Sequence, residues 1–356
     1  MNNNRAVFSL FGGVFLQKAY YYGVKGLVVL IMVETLSYDA EEALDSYGLI
    51  SRTHWMIALP LGFLIDFVLG SKRAMSLGLL AQVLSGALLS MGIYPELALA
   101  LLAAGSTSFL IGIHKEVSNC GLTIKMAAFF SVFLSFVINM GGSFGIVSVG
   151  FLGDVMGYGS AVQTALVLLI FAFPLTLWLK RRKSSDSLSA TNTNILDQPL
   201  LGENRTDDRP ASWRTFILFI VLGTFYWSYV EYSGDHFGAS FSTLGISSAQ
   251  SANVLVVIVG SILLLAFNIQ RKKLLWFSGV SIASVICLGL VLHAFDYSMS
   301  LAEYWVWSGM SGLAEVAIFY GVYSSLWTEV PKKWVGTAIG AYMALSILVA
   351  FIIRTA

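Results

Sequence analysis

The chain has 356 residues, of which 57% are hydrophobic and 12% charged, and its mean hydropathy is +0.77. Soluble domains carry about 25% charged residues, so this composition excludes an ordinary soluble protein and indicates an integral membrane protein. The formal net charge is only +1 and the 21 basic residues are scattered through loops, which argues against a nucleic-acid partner. Cys120 and Cys287 lie in or beside apolar segments, so neither a disulfide framework nor a cysteine metal site is expected.

Apolar runs long enough to cross a bilayer recur along the whole chain. A transmembrane helix needs about 20 such residues. The first run begins within a few residues of the amino terminus and is followed by no small-residue cleavage site, so we expect this helix to be retained. The pattern predicts an all-α membrane protein with eleven spans, at 7–33, 47–69, 74–93, 97–118, 127–152, 161–179, 215–237, 249–267, 274–295, 301–329 and 334–353.

The loops between these spans alternate in charge. Basic loops occur at 71–73, 180–183, 271–273 and 331–333, and acidic or neutral ones at 38–45, 94–96 and 295–298. Because basic loops mark the cytoplasmic side, we predict a multi-pass protein of a cell or inner membrane with its amino terminus in the cytoplasm. Eleven spans then leave the carboxy terminus outside. Since an even number is more usual in such bundles, we expect that a twelfth helix is missing from this chain.

A long polar segment, residues 180–214, separates the sixth span from the seventh. It is rich in Ser, Asn, Asp and Arg, which is typical of a flexible linker, and the charge pattern puts it in the cytoplasm. It divides the chain into an amino-terminal half of six helices, 1–179, and a carboxy-terminal half of five, 215–356. Two helical halves that rock around a central site are typical of secondary transporters. The alternative is a polytopic protein that merely carries a mid-chain loop.

Ionisable residues deep in a span usually face a cavity or a partner. In the first span, the spacing of Lys18, Tyr21, Tyr22 and Lys25 is i, i+3, i+4, i+7, so these four side chains share one helix face. The alternative is that the two lysines extend to the headgroup region. Lys115, near the end of the fourth span, is a further candidate.

Two carboxylates also lie deep in spans. Glu231 follows Trp227 by four residues in the seventh span, with Asp235 one turn further on, although such an aromatic stripe often serves packing alone. Glu315 has no basic neighbour at helical spacing, so its counter-charge must come from another helix, a ligand or a proton. Arg52 either meets Asp235 or is an interfacial arginine. Together the deep charges are three positive and two negative, which favours a zwitterionic or anionic ligand.

Six segments in both halves carry the motifs of a known transporter family. They are PLGFLIDFVLGSKR (60–73), GIHKEVSNCG (112–121), FFSVFLSFVINMGGSFG (129–145), FYWSYVEYSG (225–234), SANVLVVIVG (251–260) and LAEVAIFYGVYSSLWTEVPKKWVGTAIG (313–340). In this order they resemble the proton-dependent oligopeptide transporter family of the major facilitator superfamily. The resemblance implies a major-facilitator-like bundle of about 11 transmembrane helices in two pseudo-symmetric halves.

The resemblance also implies roles for individual residues. Lys25 and Lys115 would hold a peptide's carboxylate, and Tyr21, Tyr22 and Trp227 would line side-chain pockets. The peptide's amino end would lie at Asn139, Asn253 and Glu315.

Coupling and gating would fall to a second set of residues. The resemblance implies pairs between Lys25 and Glu231 and between Lys115 and Glu315, while Asp66 would latch the cytoplasmic side. The full set is Lys18, Glu231, Asp66, Arg52 and Asp235.

The first span departs from this family's pattern. Two glutamates and an arginine normally precede the tyrosines, and here those positions are Val14, Gln17 and Lys18. Both carboxylates are absent, so the family's proton coupling is not expected to carry over unchanged, although Glu231 and Glu315 could still titrate.

Two functions remain open from the sequence. The first is a secondary transporter that moves a small peptide-like or anionic solute, with protons as a possible second partner, by alternating access. The second is a transporter-like protein that acts without transport as a ligand receptor, a scaffold or a subunit bound to an unknown protein. An enzyme is not expected, because HExxH, GxSxG and Cys/His metal spacings are absent, and no cofactor is indicated.

Overall fold

The computed structural model describes residues 3–177, 217, 220–227, 243–267, 271–295 and 299–355. Within these ranges the chain forms α-helices joined by short turns, with no β-strand. The predicted linker 180–214 lies outside the described residues, as does most of the predicted span 215–237.

Seven α-helices form the amino-terminal half in its described part. They are α1 (Asn3–Leu30), α2 (Ala40–Met56), α3 (Ala58–Leu64), α4 (Gly70–Met91), α5 (Pro95–Asn119), α6 (Ile124–Met156) and α7 (Tyr158–Leu177). Five-residue π-helical turns follow α1, at Ile31–Thr35, and α3, at Ile65–Leu69. The predicted second span is thus helical but broken between α2 and α3.

The segment 38–45, expected to be a loop, already contains the start of α2. Asp39 caps this helix, because its carboxylate accepts a hydrogen bond from the backbone N–H of Glu41 at 3.0 Å. Glu41 and Glu42 in the first turn also suit the positive end of the helix dipole. The acidic residues that suggested a loop therefore initiate a helix.

The carboxy-terminal half contains a helical segment at 220–227 and five further α-helices in its described part. These are α8 (Thr243–Phe267), α9 (Arg271–Ala294), α10 (Leu301–Ile318), α11 (Ser324–Thr328) and α12 (Val335–Thr355). A π-helical turn, Phe319–Tyr323, joins α10 to α11, and a 3₁₀ turn, Lys332–Trp334, precedes α12.

The outer faces of the helices are apolar, as a bilayer requires. In the described part, four helical segments are long and apolar enough to cross a membrane: Ala58–Met91, Pro95–Asn119, Ile124–Met156 and Tyr158–Thr176. Large apolar side chains project outward from them, among them Val147 with 73% of its surface exposed and Phe151 with 65%. A water-soluble monomer rarely exposes such contiguous apolar surface. The molecule is an integral multi-pass membrane protein.

Helix α1 packs against α6 and α7 within the first half, and α8 packs against α10 within the second. The halves meet where α12 contacts α2, α3 and α5 and where α6 contacts α8. Buried side chains from both halves form one large hydrophobic cluster. A cavity remains between the halves at the level of α1 and α10.

Candidate functional site

The cavity between the two halves has a volume of about 490 Å³. Side chains from α1, α2, α5, α6, α8, α10 and α12 line it, together with Trp227 of the 220–227 segment. Its size is in the range of small-molecule binding sites, which are about 300–1,000 Å³. The lining is mostly apolar, with a few polar groups that could orient a ligand.

Lys18 supplies positive charge to this lining. Its side chain is 4% exposed, and its Nζ lies 5.3 Å from the ring centroid of Tyr21 and 5.7 Å from that of Tyr22. These rings offer a cation–π contact but no hydrogen bond. Helix α1 brings Lys18 and Tyr22 to the same face because they are four residues apart.

Glu315 supplies negative charge from α10, in the opposite half. The Asn139 Nδ2 of α6 donates a hydrogen bond to Glu315 Oε1 at 3.3 Å, and the Asn253 side chain of α8 also hydrogen-bonds to this carboxylate. Glu315 is 9% exposed. The carboxylate is therefore held between the two halves by two amides, facing the cavity.

Aromatic rings make up much of the remaining wall. Trp55 of α2 and Trp227 lie with ring centroids 6.2 Å apart, so these indoles meet across the two halves. Tyr304 and Trp307 of α10 line the same cavity. Three more rings complete this wall: Phe319, Tyr323 and Tyr342.

Of the eight predicted substrate-binding residues, five lie in the cavity lining: Tyr22, Asn139, Trp227, Asn253 and Glu315. Tyr21 is buried behind this surface, with its ring centroid 5.2 Å from that of Tyr22. Lys25 is half-buried, and its Nζ lies 4.9 Å from the ring centroid of Tyr47. Neither Tyr21 nor Lys25 is part of the lining.

Lys115 occupies a different place from the one that the resemblance implies. Its Nζ lies 2.5 Å from Asp66 Oδ1, so its ion pair is with Asp66 and not with Glu315. It also donates to the backbone carbonyl of Asp66 at 3.2 Å. The expected Lys115–Glu315 pair is not formed in this conformation, because α5 directs Lys115 toward the turn after α3 and not into the cavity.

Asp66 joins the two halves at the end of the molecule that carries the loops 71–73 and 331–333. Its carboxylate accepts hydrogen bonds from the backbone N–H groups of Gly336, at 3.0 Å, and Thr337, at 2.5 Å, and from the Thr337 hydroxyl at 2.8 Å. These groups form the first turn of α12, where unpaired N–H groups and the helix dipole favour an anion. Here the halves are closed against each other.

The side chains of three other predicted gating residues fall outside the described part of the structure. Glu231 and Asp235 lie outside the described residues, and of Arg52 only the backbone, within α2, is described. Lys18, predicted to act in coupling, lies in the cavity lining.

The sequence reasoning missed several lining residues. On α10, Tyr304, Trp307, Ser311 and Glu315 follow each other at intervals of three or four residues, so counting back from Glu315 at helical spacing could have found them. His54 gave no such signal. Its Nδ1 lies 2.9 Å from the Thr107 hydroxyl, a contact between α2 and α5 that depends on how these helices pack.

The site combines a cation, a hydrogen-bonded carboxylate and aromatic rings, which suits the binding of a small organic molecule with both charges. No group of three or more His, Cys, Asp or Glu side chains that could hold a metal ion occurs in the part of the chain that the structure describes. Two helical halves around a central cavity, in a multi-pass membrane protein, define the class of the molecule: a transporter fold. The chain belongs to the Major Facilitator Superfamily, whose pattern it matches over residues 10–353.

Curated relatives are peptide permeases. Over 104 residues the chain is 31% identical to dipeptide and tripeptide permease B of Aeromonas hydrophila subsp. hydrophila, covering 28% of this chain and 21% of the permease. Over 210 residues it is 25% identical to the permease of the same name from Photorhabdus asymbiotica subsp. asymbiotica, covering 57% and 39%. The predicted resemblance to peptide transporters is confirmed. The chain spans well under half the length of these relatives.

Solved structures share the fold at low identity. A bacterial homologue of the iron transporter ferroportin, in an outward-facing state, aligns with a TM-score of 0.70 and 13% identity over 98% of this chain and 92% of that one. A POT family transporter in complex with a thioalcohol-conjugated peptide aligns with a TM-score of 0.60 and 16% identity, over 98% and 90%. These likenesses establish the fold, which is the major-facilitator bundle predicted from the sequence.

Proposed function

We propose that this protein is a secondary transporter that moves a small peptide-like or anionic solute by alternating access. The observation that carries the proposal is the cavity between the halves, in which Lys18 and Glu315 both line the wall. A zwitterion that binds there contacts both halves at once, so its binding is linked to their relative movement. The names of the curated relatives support a peptide as the solute.

The orientation follows from the charge of the loops. The loops 71–73 and 331–333 are basic, which supports a cytoplasmic location for the end that Asp66 closes. This conformation is then closed to the cytoplasm. The same charge pattern puts the amino terminus and the linker 180–214 on the cytoplasmic side.

Among the described residues that line the cavity, Glu315 is the carboxylate, and it is therefore our candidate for the proton acceptor if protons drive transport. On α1 the family's glutamate positions are Val14 and Gln17, and neither side chain titrates. The same observation favours a second function, in which the protein binds its ligand without transport and acts as a receptor, a scaffold or a complex subunit.

Uptake into proteoliposomes tests the proposal. Purified protein is reconstituted, and the accumulation of labelled dipeptides, tripeptides and small organic anions is measured with and without an inward proton gradient. We expect uptake of at least one solute. This uptake should be lost in Glu315→Gln, because the substitution removes the carboxylate that hydrogen-bonds to an amide of each half. Uptake that needs no gradient indicates a facilitator. Ligand-induced thermal stabilisation without any flux would reject transport and support the second function.

A further inference from the structure

Three aromatic rings form an exposed surface, here called the aromatic cluster, where the two halves meet. Phe63, in α3, and Phe67, in the π-helical turn that follows it, have ring centroids 4.6 Å apart. Trp334, in the 3₁₀ turn before α12, meets the Phe67 ring edge-to-face at a centroid distance of 4.9 Å. The three side chains are 54%, 48% and 40% exposed, respectively. Because Phe63 and Phe67 lie in a segment that is apolar enough to cross a membrane, the cluster faces lipid.

The cluster depends on the contact that Asp66 makes with α12. Phe67 directly follows Asp66 in the chain, and Trp334 lies two residues before Gly336, whose backbone N–H donates to the Asp66 carboxylate at 3.0 Å. This hydrogen bond sets the two segments side by side. Phe67 belongs to the first half and Trp334 to the second, so an opening of this end would separate their rings. The complete cluster is therefore a feature of the closed end.

Two lysines lie at the edge of the cluster. Lys332 and Lys333 precede Trp334 in the same 3₁₀ turn, both are exposed, and the Lys333 Nζ lies 6.0 Å from the Trp334 ring centroid. Among the described residues, neither lysine forms an ion pair with a carboxylate. The nearby Asp66 carboxylate is already paired with Lys115. Within the described part of the chain, the edge of the cluster therefore carries two positive charges that are not neutralised.

The order of groups on this surface, from the lysines to the rings, matches that of a phospholipid. Tryptophan rings are enriched at the membrane–water interface, and a lysine beside them extends its ammonium group toward the level of the lipid phosphates. Exposed rings that lie deeper in the membrane contact acyl chains. A basic group at the membrane surface attracts anionic lipids more strongly than zwitterionic ones. The charge and the apolar area of the surface therefore both favour an anionic lipid.

We propose that this surface is a binding site for an anionic phospholipid, with the phosphate group at Lys332 and Lys333 and the acyl chains along the aromatic cluster. The bound lipid contacts both halves at once. Because the complete site exists where the halves are closed against each other, the lipid stabilises the closed arrangement of this end. The site is independent of the solute and of transport, since none of its residues lines the cavity.

Quenching of Trp334 fluorescence by brominated lipids tests the proposal. The full-length chain is reconstituted into phosphatidylcholine vesicles with increasing fractions of brominated phosphatidylglycerol or brominated phosphatidylcholine. The Trp334 component is the difference between the wild type and Trp334→Phe. We expect phosphatidylglycerol to quench this component at a mole fraction roughly 20-fold lower than phosphatidylcholine, because each of the two lysines contributes about fivefold. Lys332→Gln and Lys333→Gln should each reduce this preference about fivefold.

Two further variants separate the site from general effects of charge and folding. Lys125→Gln removes an exposed positive charge at the start of α6 and is the matched control, which should keep the preference. Gly340→Ala changes no residue of the site, but its methyl group would lie 2.9 Å from the Ala58 carbonyl carbon. The separation of α3 from α12 should then lower the preference. The thermal unfolding midpoint of each variant reports folding.

Three results would overturn the proposal. One is equal quenching of the Trp334 component by both brominated lipids in the wild type. Another is a preference for phosphatidylglycerol that persists undiminished in both Lys332→Gln and Lys333→Gln. The third is displacement of phosphatidylglycerol by inorganic phosphate but not by chloride at the same ionic strength, which would identify a site for free phosphate. An unchanged preference in Gly340→Ala would reject the link between the lipid and the closed arrangement.

Discussion

Asp66 connects the two halves through its side chain. It is fully buried as a side chain, and it combines an ion pair with Lys115 and three hydrogen bonds from the first turn of α12. The acceptor lies in the first half and the α12 donors in the second. One carboxylate thus contacts both the first turn of α12 and the Lys115 ammonium group of α5.

We expect the Asp66–Lys115 pair to show strong energetic coupling. Asp66→Asn leaves the Lys115 ammonium buried without its counter-charge, and breaking a buried pair in this way costs about 3–5 kcal/mol. Lys115→Met should cost less, because Asp66 keeps its donors from α12. The double variant should then be more stable than Asp66→Asn alone. Unfolding in mixed micelles at rising SDS fraction measures these free energies, and strictly additive losses would contradict the coupling.

At the scale of whole helices, close contact between α1 and α6 determines how the first half is built. A Cβ at Gly145 would lie 2.6 Å from the backbone carbonyl carbon of Ala19 and 2.7 Å from its Cα. Backbones this close are possible only where one partner has no side chain. The same contact fixes the direction of Lys18, which adjoins Ala19 on α1.

Gly145→Ala should destabilise the protein by about 1–3 kcal/mol, because α1 and α6 must separate to admit the methyl group. Gly150→Ala is the matched control on the same helix, since a Cβ there meets no atom within 4 Å. Thermal unfolding in detergent measures both variants. We expect a lower midpoint for Gly145→Ala and an unchanged or slightly higher one for Gly150→Ala. Equal midpoints would show that the close contact is unimportant.

For the molecule as a whole, the contact between α3 and α12 closes one end of the cavity. A Cβ at Gly340 would lie 2.9 Å from the Ala58 carbonyl carbon and 3.0 Å from Leu59 Cα. A Cβ at Gly62 would in turn lie 2.8 Å from the Gly336 carbonyl carbon. The halves therefore meet through glycines, backbone against backbone, and a side chain added at either position would force the two backbones apart.

Gly340→Ala should shift the conformational equilibrium toward opening at this end. Spin labels at Arg73 and Lys332, both exposed, report the separation of the halves in a background that carries Cys120→Ser and Cys287→Ser. We expect the distance distribution to move to longer values in Gly340→Ala. Gly279→Ala, where a Cβ meets nothing within 4 Å, should leave it unchanged. An unaltered distribution in Gly340→Ala would argue against a glycine-dependent closure.

Much of the fold could be predicted from the sequence, because in a bilayer the length of an apolar run determines the helix. The third to sixth predicted spans each coincide with a helix, from α4 to α7, to within a few residues. The start of α2 was missed, because the acidic residues of 38–45 favour a loop unless Asp39 is recognised as the cap of a helix.

The site was less predictable, because it depends on contacts between helices. Glu315 and Asn139 were identified by their type and by the resemblance. The partner of Lys115 could not be found in this way, since the position of Asp66 beside it depends on the π-helical turn Ile65–Leu69 and on the packing of that turn against α5. His54 enters the lining only through the packing of α2 on α5.

Gln17 has an electrical consequence for the cavity: its buried amide donates hydrogen bonds to Gln82 Oε1 and Ser106 Oγ of α4 and α5. A glutamate at this position would carry a negative charge or a proton, whereas an amide carries neither. Among the described residues of α1, Lys18 is the one that brings a positive charge to the cavity lining. A membrane potential does work of about 2.3 kcal/mol per elementary charge per 100 mV. This work acts on the Lys18 charge at the cavity-facing side of α1, where the amide of Gln17 adds no opposite charge.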